Sequence, residues 1–281
     1  ELVEKYNYQI LSSGGTAKHL TEANISVTKV ADFTNSPEIL GGRVKTLHPK
    51  IHGGILAQRN DEEHKKDIVA NDLELIDLVV VNLYPFKKTV EQGSKWEDAV
   101  ENIDIGGPSM IRSAAKNHKD VSVLVDPSQY QEFLEECEKG PLNESYKAKL
   151  ALEAFQHTAD YDTAISNWII KEKGLQSSKY IKSYPLIKTL RYGENPHQKA
   201  FWYGLNNIGW NSAEQLQGKE LSYNNLLDLE SAIATVLEFG YQEKDELTSY
   251  SFASVILKHN NPCGASISNS CLLYTSDAAD E

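Results

Sequence analysis

Tyr8-Gln9-Ile10-Leu11-Ser12-Ser13-Gly14-Gly15-Thr16-Ala17 reads as a short strand, a glycine loop and the first turn of a helix. Two glycines let the backbone come close to a ligand. Helix-start N–H groups and the Ser/Thr hydroxyls then face it, and the helix dipole favours an anion. A plain strand-to-helix turn capped by Ser and Gly gives the same letters, so the loop alone leaves both readings open. Working outward, the same alternation recurs. A helix is expected over Thr16 to Ala23, a strand over Ser26 to Val30 and a charged helix over Asp61 to Ala70. Ile76 to Leu83 is nearly continuous in Val, Ile and Leu, as strands of a parallel sheet require. Ser109 to Lys116 continues as a helix and Val121 to Val125 as a strand. Tyr130, Phe133, Leu134 and Cys137 fall at i, i+3, i+4 and i+7, one face of another helix. This order predicts an α/β fold, a parallel sheet covered by helices.

A longer helix is expected from Asn143 to about Lys171, with Tyr161, Ile165 and Trp168 as its apolar stripe. Gly174 to Ser183 is polar and reads as a connector. Beyond it lie an aromatic strand at Phe201-Trp202-Tyr203, a helix near Leu226 to Phe239 and a strand at Phe252 to Leu257.

Composition narrows the class of protein. The 281 residues carry 28 Lys+Arg against 40 Asp+Glu, a formal net charge of −12, which argues against a general nucleic-acid binder. Small phosphorylated ligands stay open, because local loops set that potential. Apolar runs are too short for a membrane span, and Glu1-Leu2-Val3-Glu4 does not open a secretory leader. Three cysteines are too few and scattered for a disulfide framework or zinc site, so a cytoplasmic protein with reduced thiols is expected. Glu1 to Tyr8 resembles the end of a helix, so an upstream segment is expected to be missing. Cys271 to Glu281 resembles a translated sequencing adapter and is expected to be non-native; an ordinary acidic tail is the other reading.

The polar motifs cluster at strand and helix ends. In Gly41-Gly42-Arg43-Val44-Lys45-Thr46-Leu47-His48-Pro49, Arg43 and Lys45 alternate, so an extended segment would project both to one side. Two cations and Thr46 beside glycines suit an anionic or oxyanion-bearing ligand. His48 and His52 have i, i+4 spacing, but Pro49 and Gly53-Gly54 argue against a regular helix there, so structural histidines are favoured over metal ligands. Asn82-Leu83-Tyr84-Pro85 closes the buried strand, where ligands of open parallel sheets sit. Tyr84 reads equally as a donor there or as a core tyrosine. Asp104, in Ile103-Asp104-Ile105-Gly106-Gly107, either needs a partner or caps the following helix. Lys116-Asn117-His118 ends that helix, where a lysine is favourable for dipole reasons alone. Leu190-Arg191-Tyr192-Gly193-Glu194-Asn195-Pro196-His197-Gln198 and Lys258-His259-Asn260-Asn261-Pro262-Cys263-Gly264 are the polar motifs of the second region. Lys beside His at a strand end offers a cation and a proton-transfer group. Cys263 lacks the second cysteine of a zinc deaminase, so metal is rejected.

In this order and spacing the motifs resemble the bifunctional AICAR transformylase/IMP cyclohydrolase family of purine biosynthesis, from about Glu1 to Ser270. The resemblance implies a methylglyoxal-synthase-like domain over 1–172, which closes formyl-AICAR to IMP with loss of water. It implies the start of a cytidine-deaminase-like transformylase domain over 173–270, and leaves 271–281 as a tail. Carried over by motif, Ser13, Gly14, Gly15 and Thr16 would hold the nucleotide phosphate. Arg43, Val44, Lys45, Thr46, Val81, Asn82, Tyr84, Asp104 and Ile105 would line the cyclohydrolase site, with Lys116 as proton-transfer lysine. Arg191, Tyr192 and His259 would contact AICAR, Lys258 would stabilise the formyl-transfer transition state, and His197 and Asn225 are further substrate contacts. The resemblance implies no cofactor for cyclisation, 10-formyltetrahydrofolate as co-substrate for formyl transfer, ribonucleotide ligands and a homodimer. It also implies that a preceding strand with phosphate contacts, and most of the transformylase domain, lie outside these residues. The chain as written is therefore expected to lack transformylase activity and to have weakened cyclohydrolase activity. Two rival readings share the fold. One is a phosphate- or nucleotide-sensing regulatory domain like that of carbamoyl-phosphate synthetase, which needs no proton shuttle. The other is methylglyoxal synthase, which needs neither the Arg-Tyr-Gly nor the Lys-His motif.

Overall fold

The computed structural model describes residues 1–205, 208–239 and 252–268. The expectation for 271–281 lies outside them. The chain divides into two compact units, Glu1–Lys182 and Ser183–Glu281. The polar connector goes with the first: Asn167 Nδ2 donates to the Ile181 carbonyl at 3.3 Å.

The first unit runs α1 (Leu2–Tyr6), β1 (Leu11–Ser12), α2 (Gly14–Glu22), β2 (Thr28–Lys29), α3 (Val30–Thr34), a 3-10 turn at Leu40–Gly42, α4 (Pro49–Leu56), α5 (Glu62–Ala70), β3 (Leu78–Val80), α6 (Phe86–Glu91), α7 (Trp96–Glu101), α8 (Gly106–Lys116), β4 (Ser122–Leu124), α9 (Gln129–Glu138) and α10 (Glu144–Lys173). Helix ends follow local chemistry. The Asp61 carboxylate accepts the N–H groups of Glu63 and His64 to start α5. The Asn143 side chain accepts Tyr146 N–H to start α10, and Gly174, at φ 59°, ends it in the left-handed region.

The strands are parallel, as expected, but shorter. β1 pairs with β2 in the register Leu11↔Thr28, and β3 with β4 in the register Val79↔Val123. Backbone bonds extend the second ladder at both ends: Ser122 N–H donates to Asp77 O and Val81 N–H to Leu124 O, each at 3.0 Å. Beyond Val81 the chain leaves the ladder, so Asn82 and Leu83 are not strand residues. Val30 likewise starts α3 instead of ending a strand. β1 and β3 do not pair with each other among the described residues, and residues of both line one cleft.

The core of this unit centres on β4 and α8. Val123 and Ile111 are fully buried, together with Ala114, Leu150 and Phe133 from three helices. Complete burial of each large apolar side chain is worth ~1.5–3 kcal/mol. A second cluster gathers Phe86, Ala99, Tyr161 and Trp168 under the loops that follow β3 and α7. Phe86 meets Trp168 edge-on at 5.3 Å, and Trp96 stacks on Trp168 at 4.5 Å.

Pro49 does not prevent a helix. It occupies the first position of α4, where its missing N–H costs nothing, and His48 is the cap, its Nδ1 accepting Lys50 N–H at 3.1 Å. Gly54 belongs to the buried face: a Cβ there would collide with the Glu74 carbonyl. His52 sits inside the helix with Nδ1 3.1 Å from Ser113 Oγ, and burial lowers its pKa.

The second unit holds β5 (Leu186–Leu190) antiparallel to β6 (Ala200–Tyr203), α11 (Tyr223–Leu237), and β7 (Phe252–Lys258) antiparallel to β8 (Asn261–Ser268). His259 and Asn260, at φ 55° and 63°, form the left-handed two-residue turn of the β7–β8 hairpin. No helix among the described residues is long and apolar enough to cross a membrane.

Candidate active site

A cleft of about 1490 Å³ opens in the first unit. It is lined by the ends of β1 and β3 and by the starts of α2 and α8. Ser13 is the N-cap of α2 without a side-chain cap hydrogen bond. The N–H groups at the start of α2 therefore remain free to meet an anion. Ser13, Gly14, Gly15 and Thr16 all line the cleft.

Arg43 and Lys45 also line it, though not from an extended segment. The Ile39–Val44 backbone bridge folds the 40–44 loop back, the turn at Leu40–Gly42 tightens it, and Arg43 is right-handed helical at φ −67°. Val44 is spent on that bridge and is not among the lining residues. Gly42, at φ 93°, makes room for Lys45: a Cβ there would lie 2.8 Å from Lys45 Cε. The Lys45 amine reaches the start of α2, 3.4 Å from where a Gly14 Cβ would be. Its hydroxyl neighbour Thr46 reaches the start of α8, 2.7 Å from the position of a Gly106 Cβ. One dipeptide thus touches two helix N-termini.

Both cations are already paired. The Arg43 guanidinium forks onto Glu101, with Nε 3.3 Å from Oε1, and this pairing raises the arginine pKa and lowers that of the carboxylate. Lys45 Nζ lies 3.4 Å from Glu38 Oε2. An entering anion competes with these two carboxylates.

Asp104 unites both readings given above. Its Oδ1 accepts Gly107 N–H at 2.9 Å, capping α8, and the residue faces the cleft. A Cβ on Gly107 would run into that carboxylate and lie 2.8 Å from Leu83 Cδ2, so the cap requires glycine. Tyr84 and Ile105 line the cleft and are more than half exposed, at 59% and 58%. Tyr84 is therefore not a core tyrosine. Val81 and Asn82 line it too, and Asn82 Nδ2 is held by the Tyr130 hydroxyl at 2.9 Å.

Lys116 is elsewhere. It ends α8, ten residues beyond Gly106, which is about 15 Å along the axis. It is exposed and is not among the residues lining the cleft. Lys45 lines the cleft and Lys116 does not, so the expected convergence of the two on one ligand is not seen at this cleft. Asn117 beside it is structural, its amide donating to Ile55 O and Ala57 O at 2.8 and 3.1 Å.

In the second unit, the Arg191 guanidinium stacks on the Tyr192 ring at 4.8 Å. His197 is exposed in the turn before β6. Asn225 spends its side-chain oxygen on a capping box with Ser222, accepting Ser222 N–H at 3.0 Å. Lys258 and His259 lie at the hairpin turn, which Asp228 Oδ1 holds by accepting Asn260 N–H at 2.9 Å.

Sequence reasoning missed four partners. Glu38 and Glu101 sit in ordinary polar contexts, without a signal. Tyr130 and Tyr161 were legible only as apolar faces. The hydroxyl of Tyr161, which must find a partner because the residue is buried, was the available clue.

Residues 114–280 match the AICARFT/IMPCHase bienzyme and residues 1–109 match the MGS-like domain. The chain belongs to the AICARFT/IMPCHase bienzyme family. Over 270 residues it is 89% identical to the bifunctional purine biosynthesis protein PurH of Prochlorococcus marinus subsp. pastoris strain CCMP1986, covering 96% of this chain and 52% of that protein. It is 88% identical to the PurH protein of Prochlorococcus marinus strain MIT 9312 over the same 96% and 52%. The chain thus spans about half the length of the curated relatives it matches. A solved structure titled Crystal structure of ForH is 32% identical, with TM-score 0.48, over 57% of this chain and 83% of that one. The residues that line the cleft, Tyr6 to Met110, fall within the 1–109 match except Met110.

Proposed function

We propose that the cleft of the first unit binds a phosphorylated purine ribotide and closes formyl-AICAR to IMP. The observation that carries this reading is the meeting of two helix N-termini, those of α2 and α8, around Lys45 and Thr46. Membership of a family described as the AICARFT/IMPCHase bienzyme supports a purine ribotide as the substrate. The Ser13–Thr16 amides take the phosphate.

Ring closure forms a bond between the carboxamide nitrogen and the formyl carbon. Negative charge develops on the formyl oxygen, where Lys45 and the Gly106 N–H at the start of α8 stabilise it. The carboxamide nitrogen loses one proton and the formamide nitrogen another. Both reach the departing oxygen, which leaves as water. Asp104 and Tyr84 are the proton-transfer groups at the cleft, and holding the formamide against the carboxamide supplies further acceleration. Lys116 takes no part in this scheme, and no cofactor enters it.

For the whole protein we propose the second family activity, formyl transfer from 10-formyltetrahydrofolate to AICAR. Arg191, Tyr192 and His259 would contact AICAR, with His197 and Asn225 as further contacts and Lys258 as the cation. A cytoplasmic homodimer completes the proposal.

The test is to incubate the chain with formyl-AICAR and follow IMP by absorbance. IMP formation above the uncatalysed rate is expected. Binding of IMP without turnover would turn the reading to a nucleotide sensor, and absence of both would discard the cleft.

A further inference from the structure

We infer that Tyr161 is a positioning residue that fixes Asp104 and Tyr84 relative to one another; this rests on the cyclisation reading of the cleft. Tyr161 belongs to α10, far along the chain, and is not among the residues that line the cleft. Its hydroxyl accepts Asp104 N–H at 2.8 Å. The same oxygen reaches toward the Asn102 carbonyl at 3.5 Å. The loop between α7 and α8 is thereby tied to α10 on either side of Ile103, itself packed on the same aromatic cluster.

The ring of Tyr161 does the second half. It meets Phe86 edge-on, with centroids 6.2 Å apart. Phe86 lies two residues after Tyr84, and its N–H donates to the Tyr84 carbonyl at 2.7 Å. One buried side chain, 8% exposed, therefore touches both loops that carry the proposed proton-transfer groups. Its hydroxyl sets Asp104 and its ring supports the Tyr84 turn. Loss of the hydroxyl frees the Asp104 backbone but leaves the ring packing intact, so the two halves separate experimentally.

The experiment compares the unmodified chain with Tyr161→Phe and Tyr161→Leu. For Tyr161→Phe, loss of one buried hydrogen bond is expected to speed amide exchange at Asp104 about tenfold, with Ile111 and Ala114 unchanged. In the turnover assay, kcat is expected to fall about tenfold and KM to stay within about twofold, the signature of an interaction that matters in the transition state. Tyr161→Leu should lower kcat further. Unchanged exchange at Asp104, or equal acceleration throughout α8, would overturn the inference. If the unmodified chain makes no IMP, the cyclisation reading fails, while the exchange measurement still decides whether Tyr161 holds Asp104.

Discussion

The two ends of α8 carry the two halves of one recognisable motif run, and they behave differently. At the start, Asp104 caps the helix, Gly107 admits its carboxylate, and Thr46 arrives from another loop. At the end, Lys116 is exposed beside Asn117, which is buried and bonded to the end of α4. Nearness along the chain therefore says little about nearness in space once a helix intervenes. Each turn adds about 5.4 Å of separation. Groups far apart in sequence, such as Lys45, Asp104 and Ser13, meet at the cleft instead.

This contrast is open to attack by substitution. Asp104→Asn should have the largest effect. The amide oxygen still accepts Gly107 N–H, so melting temperature should hold within a few degrees, while turnover falls about 100-fold through loss of the proton-transfer group. A variant that keeps near-normal turnover would reduce Asp104 to a cap. Lys45→Met comes next: it keeps the stem that packs against Gly42 and removes the amine. IMP affinity should weaken about tenfold, or about 1.4 kcal/mol, measured by calorimetry. Lys116→Ala should change IMP affinity by less than about twofold, because the lysine lies outside the cleft. An equal loss in Lys45→Met and Lys116→Ala would dissolve the distinction between the two ends of α8.

A smaller effect concerns pH. Burial holds the pKa of His52 and His157 below the ordinary value of 6.5, and each has an unpartnered Nε2. Below pH 6.5 the unfolded chain takes up protons that the folded chain refuses. Stability is therefore full above that value and declines as pH falls from it toward the folded-state pKa. Thermal melts between pH 7.5 and 5.5 should show this decline (roughly the range over which an unperturbed His titrates), and His52→Asn should flatten it. An unchanged slope in the variant would remove His52 from the account.

Much of the architecture was legible in the sequence because its signals are local. Asp61, Asn143 and Gly174 mark helix ends by side-chain and backbone chemistry alone. The apolar stripe of Tyr161, Ile165 and Trp168 does sit on the second core cluster. Strand lengths were overestimated because a run such as Ile76–Leu83 records burial, while a strand also needs a neighbour for its backbone groups. Pro49 misled because its effect depends on position: it breaks a helix interior but suits a first turn. The alternation of Arg43 and Lys45 misled in mechanism but not in outcome, since a folded loop, not an extended one, brings both to the cleft. The pairing of these cations with Glu101 and Glu38 had no sequence signal, because it depends on how separate loops pack.

The most direct test is an IMP titration of the isotope-labelled chain followed by amide chemical shifts. The account predicts saturable shifts at Gly14, Gly15 and Thr16 together with Gly106 and Gly107, and none at Asn117 or His118. Shifts confined to the far end of α8, or no shifts at either helix start, would contradict it.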